Sequence, residues 1–176
     1  AATGKVLWSL PVNSKKDIGR GVAGDIYSGS PGAECWSSFD DNLYNCKGEI
    51  VGKSPRSCNF LIWWDADPTR ELLDNNWIGK YTPGTSGNIT RLLTAGDCTS
   101  NNSTKATPTL SADLIGDWRE EVILPTKTGN ALRLYTTTIP ANSRNITLMQ
   151  DPLYRLAIAW QNTAYNQPPH TSINPK

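Results

Sequence analysis

Apolar and aromatic residues fall in short runs separated by polar turn clusters, and 14 glycines and 12 prolines interrupt the chain too often for long helices. The pattern predicts an all-β chain. Strands are expected over residues 5–10, 60–64, 71–73, 89–94, 121–124, 131–137, 146–149 and 156–160, each rich in β-branched or aromatic residues and bounded by turn signals. The run 152–160 fits a helix as well as a strand, because a short apolar segment is compatible with both periods.

Superimposed on this pattern are three acidic, turn-like segments. They read Gly24-Asp25-Ile26 running on to Glu34, then Trp64-Asp65-Ala66-Asp67-Pro68-Thr69-Arg70-Glu71, then Asp113-Leu114-Ile115-Gly116-Asp117-Trp118-Arg119-Glu120-Glu121. Asp25 and Asp65 are 40 residues apart and Asp65 and Asp113 are 48 apart, which is the repeat length of four-stranded β-propeller blades. At about 45 residues per blade, the chain reads as about four blades of a propeller. Four seldom close a ring, so the expectation is a partial propeller over residues 1–176, belonging to a larger ring, a nicked protein or an assembly. Carboxylates gathered on a turn suit a hard, oxygen-preferring ion such as Ca2+. The sets are Asp113, Asp117 and Glu120 or Glu121, then Asp65, Asp67 and Glu71, with Asp25 and Glu34 a weaker pair because they lie nine positions apart. Ordinary turn hydrogen bonding and capping use the same residues.

A formal net charge of +1 predicts no bulk attraction to nucleic acid. No apolar run reaches the roughly 18 residues that would suggest a membrane span, and the start of the chain lacks a basic-then-apolar signal, as expected of a processed, soluble chain. Four cysteines (Cys35, Cys46, Cys58 and Cys98) without Cys-x-x-Cys spacing argue against zinc or redox chemistry. They lead us to expect one or two disulfides in a secreted, extracellular protein. Sequons at Asn88, Asn101, Asn102 and Asn145 permit glycosylation in such a setting. His170, in a Pro-rich loop, reads as structural, and Trp63, Trp64 and Trp118, beside strand signals, read as core.

Several longer motifs carry a resemblance. Arg20-Gly21, Gly32-Ala33-Glu34-Cys35-Trp36, Asn59-Phe60-Leu61-Ile62-Trp63-Trp64-Asp65, Arg70-Glu71-Leu72-Leu73-Asp74, the run Ser100 to Thr107, Gly116-Asp117-Trp118-Arg119-Glu120-Glu121, and Trp160-Gln161-Asn162 through Pro169-His170 closely resemble the C-terminal part of rhamnogalacturonan lyases of polysaccharide lyase family 11. The resemblance runs from about Gly4 to about Thr171 and implies part of an eight-bladed catalytic propeller with calcium in its blades and at its cleft. It implies calcium-dependent β-elimination at rhamnose-galacturonate bonds of pectin. It places the catalytic ion at Asn102, Ser103, Thr104, Asn162 and Ala164, the last through its main-chain carbonyl. Lys105 is implied as base or charge stabiliser, Arg20 as a uronate contact, and Tyr165 as acid or sugar contact; exchanged roles fit the same residues.

A lyase needs these groups because the carbanion formed at C5 beside a carboxylate is costly without neutralising charge. Where the family usually has glycine after the metal-site asparagine, this chain has Ser103, which strains the turn if that position requires positive φ. Two other readings share the same sequence: a calcium-stabilised carbohydrate-binding segment without catalysis, and a fragment inactive when isolated.

Overall fold

The structure, a computed structural model, describes residues 3–12, 18–163, 167–173 and 175. Three antiparallel sheets follow one another along the chain. The first joins β1 (Gly21–Gly24), β2 (Glu34–Ser37), β3 (Asn42–Tyr44) and β4 (Ile50–Lys53). The second joins β5 (Phe60–Ile62), β6 (Glu71–Asp74), β7 (Trp77–Tyr81) and β8 (Ile89–Thr94). The third joins β9 (Leu110–Ala112), β10 (Glu121–Pro125) and β11 (Leu132–Tyr135). Within each sheet, strands adjacent in sequence pair in an up-and-down meander. A helix, α1 (Pro152–Trp160), follows.

Side chains of a strand alternate between its two faces, yet β5 is buried at every position. The second sheet has a core on each side. Phe60, Ile62, Leu73 and Ile78 pack toward Val122 and Leu124 of the third sheet, while Leu61 and Leu72 pack toward Val22, Trp36 and Leu43 of the first. This accounts for the unbroken apolar run beginning at Phe60. A third cluster, Trp63, Trp118, Leu148 and Tyr154, packs α1 against the ends of the second and third sheets.

The acidic segments acquire a common structural meaning here. Glu34, Glu71 and Glu121 are the first residues of β2, β6 and β10, and all three are fully buried. Each carboxylate accepts two successive backbone N–H groups from the turn after the preceding strand: Ile26 and Tyr27 at 3.1 Å each, Trp64 and Asp65 at 2.7 and 3.3 Å, Leu114 and Ile115 at 2.9 and 3.2 Å. A buried carboxylate needs donors, and turn amides outside a ladder need acceptors. Neighbouring sheets are tied at the same end: Arg70 N–H donates to Asp25 O at 2.6 Å, and Glu120 N–H to Trp63 O at 2.9 Å.

Glu120 itself bridges three elements. Its carboxylate accepts from Trp63 N–H (2.9 Å) and Tyr154 Oη (2.7 Å) and lies 3.4 Å from the buried Arg70 guanidinium, which stacks over the Trp63 ring at 4.3 Å. Helix α1 begins where Asp151 accepts from Leu153 N–H at 2.9 Å with Pro152 in the first turn, while the distant Ser172 N–H donates to its other oxygen.

The all-β expectation holds, with corrections in detail. About four blades become three sheets. Residues 5–10 are irregular, with Trp8 stacked on Tyr44; residues 148–150 form a 3-10 turn instead of a strand; and 156–160 lie inside α1. β1 to β4, β7 and β9 were not anticipated, because GVAG, NLY and LSA are too short or glycine-rich to announce strands without their partners. Trp63, Trp64 and Trp118 are core residues, as expected.

No disulfide forms, contrary to expectation: all four cysteines are thiols. Cys98 belongs to the core between the second and third sheets and Cys58 packs against the core of the first and second. Cys35 is registered opposite Tyr44, which makes Cys46 a diagonal neighbour, roughly 7–8 Å away in a regular pair and beyond the usual reach of a bridge. The sequon residues Asn88 and Asn101 are committed to structure: Asn88 donates to Lys53 O and Ser54 O, and Asn101 to Thr109 Oγ1. Among the described residues no helix is long and apolar enough to cross a membrane.

Two outcomes follow from this packing. Glu120→Ala strands the Arg70 charge in the core and should lower the stability of the chain by about 3–5 kcal/mol in urea unfolding, whereas Arg70→Met with Glu120→Leu should recover most of that loss. An equal loss in the double variant would contradict the assignment. For Asp151, burial pushes the carboxyl up, but the amides of Ser172 and Leu153 outweigh it and hold the pKa below 3.8. Its folded value is therefore depressed, so the cap contributes fully above pH 3.8 and fades as pH falls below it. Asp151→Ala should cost about 1 kcal/mol at neutral pH and progressively less in acid.

Candidate functional site

The run 100–107 folds into a loop between β8 and β9. Asn101 and Thr107 close it with paired backbone bonds of 2.8 and 3.1 Å, and a 3-10 turn, Ser103–Lys105, forms its tip. The geometry requires left-handed backbone at three non-glycine residues: Asn102 (φ 66°), Ser103 (φ 51°) and Ala106 (φ 49°). The condition attached to Ser103 in the sequence is met, since the position where glycine was expected does have positive φ. Such conformations persist only where surrounding contacts over-determine them.

Those contacts come from distant parts of the chain. Arg20, just before β1, donates from Nη1 to Lys105 O at 3.2 Å and to Asn59 Oδ1 at 3.5 Å. Asn59, just before β5, donates from Nδ2 to Thr104 O at 3.5 Å and to Asp74 Oδ1 at 2.9 Å. Asn75, in the turn after β6, donates its N–H to Ala106 O at 3.2 Å and accepts from Ser100 Oγ at 3.1 Å. The first two sheets and the loop entering the third thus meet at one end of their strands. Arg20 is half-buried; burial lowers its guanidinium pKa, and nearby Cys58 and Asp74 counter that.

Asn162 reaches the same place from α1. Gln161, 1% exposed, exchanges two 2.9 Å bonds with the backbone of Ser111, and Asn162 donates to Thr109 O. Thr109 Oγ1 in turn accepts from Asn101 at 3.0 Å, so the helix end and the loop share one residue. The structure therefore joins Arg20 to the turn that carries Asn102, Ser103, Thr104 and Lys105, and sets Asn162 against Thr109, the partner of Asn101 at the base of that loop. Ala164 and Tyr165 lie outside the described residues. Asn102, Ser103, Thr104 and Asn162 carry amide and hydroxyl oxygens on exposed residues and add no carboxylate. This donor chemistry fits a hard cation that keeps positive charge for an anionic ligand.

The acidic segments lie at the opposite end of the strands. Asp113 spends both oxygens on protein donors, Gly116 and Trp118 N–H, Leu148 N–H and Thr147 Oγ1. Asp117 pairs with Arg119, and Glu120 with Arg70 and Tyr154. These three do not converge, because each is committed to a different set of donors. Asp25 lines a cavity of about 280 Å³ with Trp63, Arg70 and His170.

Asp65, Asp67 and Glu71 do converge; their ligand atoms lie within 4.8 Å of one another, a geometry that could hold a metal ion. Lys80 Nζ lies among them, 2.8 Å from Asp65, 2.6 Å from Asp67 and 2.8 Å from Glu71. Lys80 had no signal in the sequence. Its position follows from register: Leu72 pairs with Gly79, which sets Lys80 opposite Glu71. In the third sheet the corresponding residue is Thr136, donating to Glu121 at 3.0 Å, and there Ile115 stands where Asp65 does. A cation opposite the glutamate accompanies the extra carboxylates, and a hydroxyl accompanies their reduction.

Comparisons with known proteins identify the family. The sequence profile of rhamnogalacturonan lyase family 11, C-terminal domain, matches residues 1–174. The chain is 57% identical to rhamnogalacturonan endolyase YesW and 46% identical to rhamnogalacturonan exolyase YesX, both of Bacillus subtilis strain 168, over 98% of its length in each case. It covers 27% and 30% of those proteins, so it spans under a third of the curated relatives it matches. The crystal structure of YesW superimposes with a TM-score of 0.88 over 99% of this chain and 29% of that one, at 54% identity. The rhamnogalacturonan lyase PL11 of Bacillus licheniformis superimposes with 0.87 over 98% and 29%, at 49% identity.

If Lys80 is the resident cation of its cage, Lys80→Ala should bind calcium at a stoichiometry one greater than wild type by calorimetry and melt at a higher temperature with calcium than without. Equal stoichiometries in the two proteins would contradict it.

Proposed function

The chain belongs to rhamnogalacturonan lyase family 11, as its C-terminal domain, and from that premise we propose that it carries one side of a lyase site cleaving rhamnose-galacturonate bonds of rhamnogalacturonan. The observation that carries the proposal is the convergence of Arg20, Lys105 and the oxygen-donor loop 102–104 at one end of the strands, from segments far apart in sequence. In this reading the three sheets are consecutive blades of a β-propeller. Its other blades lie in the part of the relatives' length that this chain does not span, within the same polypeptide.

The elimination removes the proton at C5 of the uronate and breaks the bond between C4 and the glycosidic oxygen, which leaves with the electron pair and takes up a proton. The products are a 4,5-unsaturated uronate and a free sugar end. Calcium held by Asn102, Ser103, Thr104 and Asn162 would supply positive charge against the uronate carboxylate, lowering the cost of charge developing at C5. Arg20, always protonated, binds and orients that carboxylate. Lys105, on the turn whose carbonyl Arg20 holds, takes the C5 proton in its neutral form, and Tyr165 protonates the leaving oxygen; exchanged roles fit the same residues. The planar fork of Arg20 and the turn beneath it fix the distance between carboxylate binding and proton removal, the kind of positioning worth orders of magnitude in rate. Secretion belongs to the same reading, since pectin lies outside cells.

Formation of unsaturated uronate from rhamnogalacturonan, followed by its ultraviolet absorbance with and without chelator, tests the proposal. The full-length enzyme should show calcium-dependent turnover, reduced about 100-fold or more by Lys105→Ala and by Arg20→Ala. A binding module would bind the polysaccharide with no absorbance change in any variant, and that result would overturn the catalytic reading.

A further inference from the structure

Asp74 takes no part in the reaction just described, yet through Asn59 it is connected to Arg20 and to the turn bearing Thr104 and Lys105. Asn59 precedes β5 and Asp74 ends β6; Phe60 pairs with Leu73, so the two residues extend that register by one step and face each other. An Asn side chain has one acceptor oxygen and two donor hydrogens, and its orientation is set by its neighbours. A carboxylate only accepts, so Asp74 at 2.9 Å draws the Asn59 NH2 toward itself. This turns Asn59 Oδ1 to the Arg20 guanidinium and leaves the second hydrogen for Thr104 O. With the amide reversed, its NH2 would confront the N–H groups of Arg20, donor against donor.

We infer that Asp74, acting through Asn59, is a positioning residue that holds Arg20 and the turn bearing Thr104 and Lys105 in their reactive arrangement; the inference rests on the catalytic reading above. A second contact from the same β6–β7 turn supports it. Asn75, itself at φ 53°, grips the loop at Ala106 O and Ser100 Oγ, while Asn59 holds its tip at Thr104 O. The left-handed residues Asn102, Ser103 and Ala106 are thereby fixed from both ends of the loop. Asp74 also faces a second guanidinium, Arg91, which stacks over Trp77 at 3.7 Å. Its negative charge therefore belongs to the standing charge balance of this end of the sheets. A neutral side chain of the same shape would keep the packing and lose the fixed acceptor.

The test compares Asp74→Asn and Asp74→Glu with wild type in the full-length enzyme, with Arg20→Ala and Lys105→Ala as references. Asp74→Asn should lower kcat about 10- to 100-fold with KM changed by less than about threefold, since misplacement penalises the transition state more than binding. Asp74→Glu should restore part of the loss. In the full-length enzyme, the side-chain amide signals of Asn59 should move toward free-amide positions in Asp74→Asn, while the signals of Gln161 stay in place. Unchanged kcat in Asp74→Asn, with Arg20→Ala and Lys105→Ala still impaired, would overturn the positioning role and leave the proposed reaction standing. Full activity in Arg20→Ala and Lys105→Ala would overturn both. Should Asp74→Asn melt without cooperativity, Asn59→Asp serves instead: it places an acceptor against Asp74 and should lose kcat similarly, and wild-type kcat there would also overturn the role.

Discussion

A buried carboxylate must find donors, and a chain leaving a strand must find acceptors for its next few amides. In this protein each requirement meets the other, three times over, in Glu34, Glu71 and Glu121. The turn after the first strand of each sheet is wound onto the head of the second strand by one side chain. Because that turn also carries the carbonyl that receives the next sheet's amide, the register within a sheet and the position of the following sheet are set at one place. Arg20, Asn59 and the loop 100–107 sit at the other end of the same strands, and their meeting depends on this stacking.

The variation among the three repeats is as informative as their likeness. Where Lys80 stands opposite the glutamate, two further aspartates crowd in; where Thr136 stands there, an isoleucine takes one of those places and Arg119 neutralises the remaining aspartate. In each, one cation offsets part of the local negative charge: Lys80 contacts three carboxylates and Arg119 one. Burial pushes the Glu71 carboxyl up to about 8 even against the attraction of Lys80, while Asp67 at the rim of the same cage keeps contact with water. The acidic turns thus share one packing device, the glutamate clamp, and among them Asp65, Asp67 and Glu71 also converge closely enough to hold a metal ion, while the oxygen-donor loop that resembles a cation site contains no acid.

Much of this was legible in the sequence, and the remainder was hidden for identifiable reasons. The apolar run from Phe60, the strands β6, β8, β10 and β11, and the repeat itself announced an all-β chain of stacked units. Long-range pairing made the rest: Gly21–Gly24 and Leu110–Ala112 are strands because neighbours complete their ladders, not because of their own residues. The apolar period of 152–160 fits helix and strand alike, and the Asp151 cap with Pro152 in the first turn decides for the helix. Among site residues, Arg20, Lys105, the run 102–104 and Asn162 were named in advance through family motifs. Asn59, Asp74 and Lys80 carried no chemical signature, since their roles arise only from cross-strand register and from a loop folding over from 45 residues away.

The claim on which the rest depends is that the glutamate clamps open only with the whole fold. Native-state hydrogen exchange at the amides of Ile26, Tyr27, Trp64, Asp65, Leu114 and Ile115 addresses it directly. The account predicts that all six exchange through the same opening as the core strands β5 and β6, with matching denaturant dependence. Fast, denaturant-independent exchange at any of the three pairs would show a turn free of its clamp, and would contradict the account at its foundation.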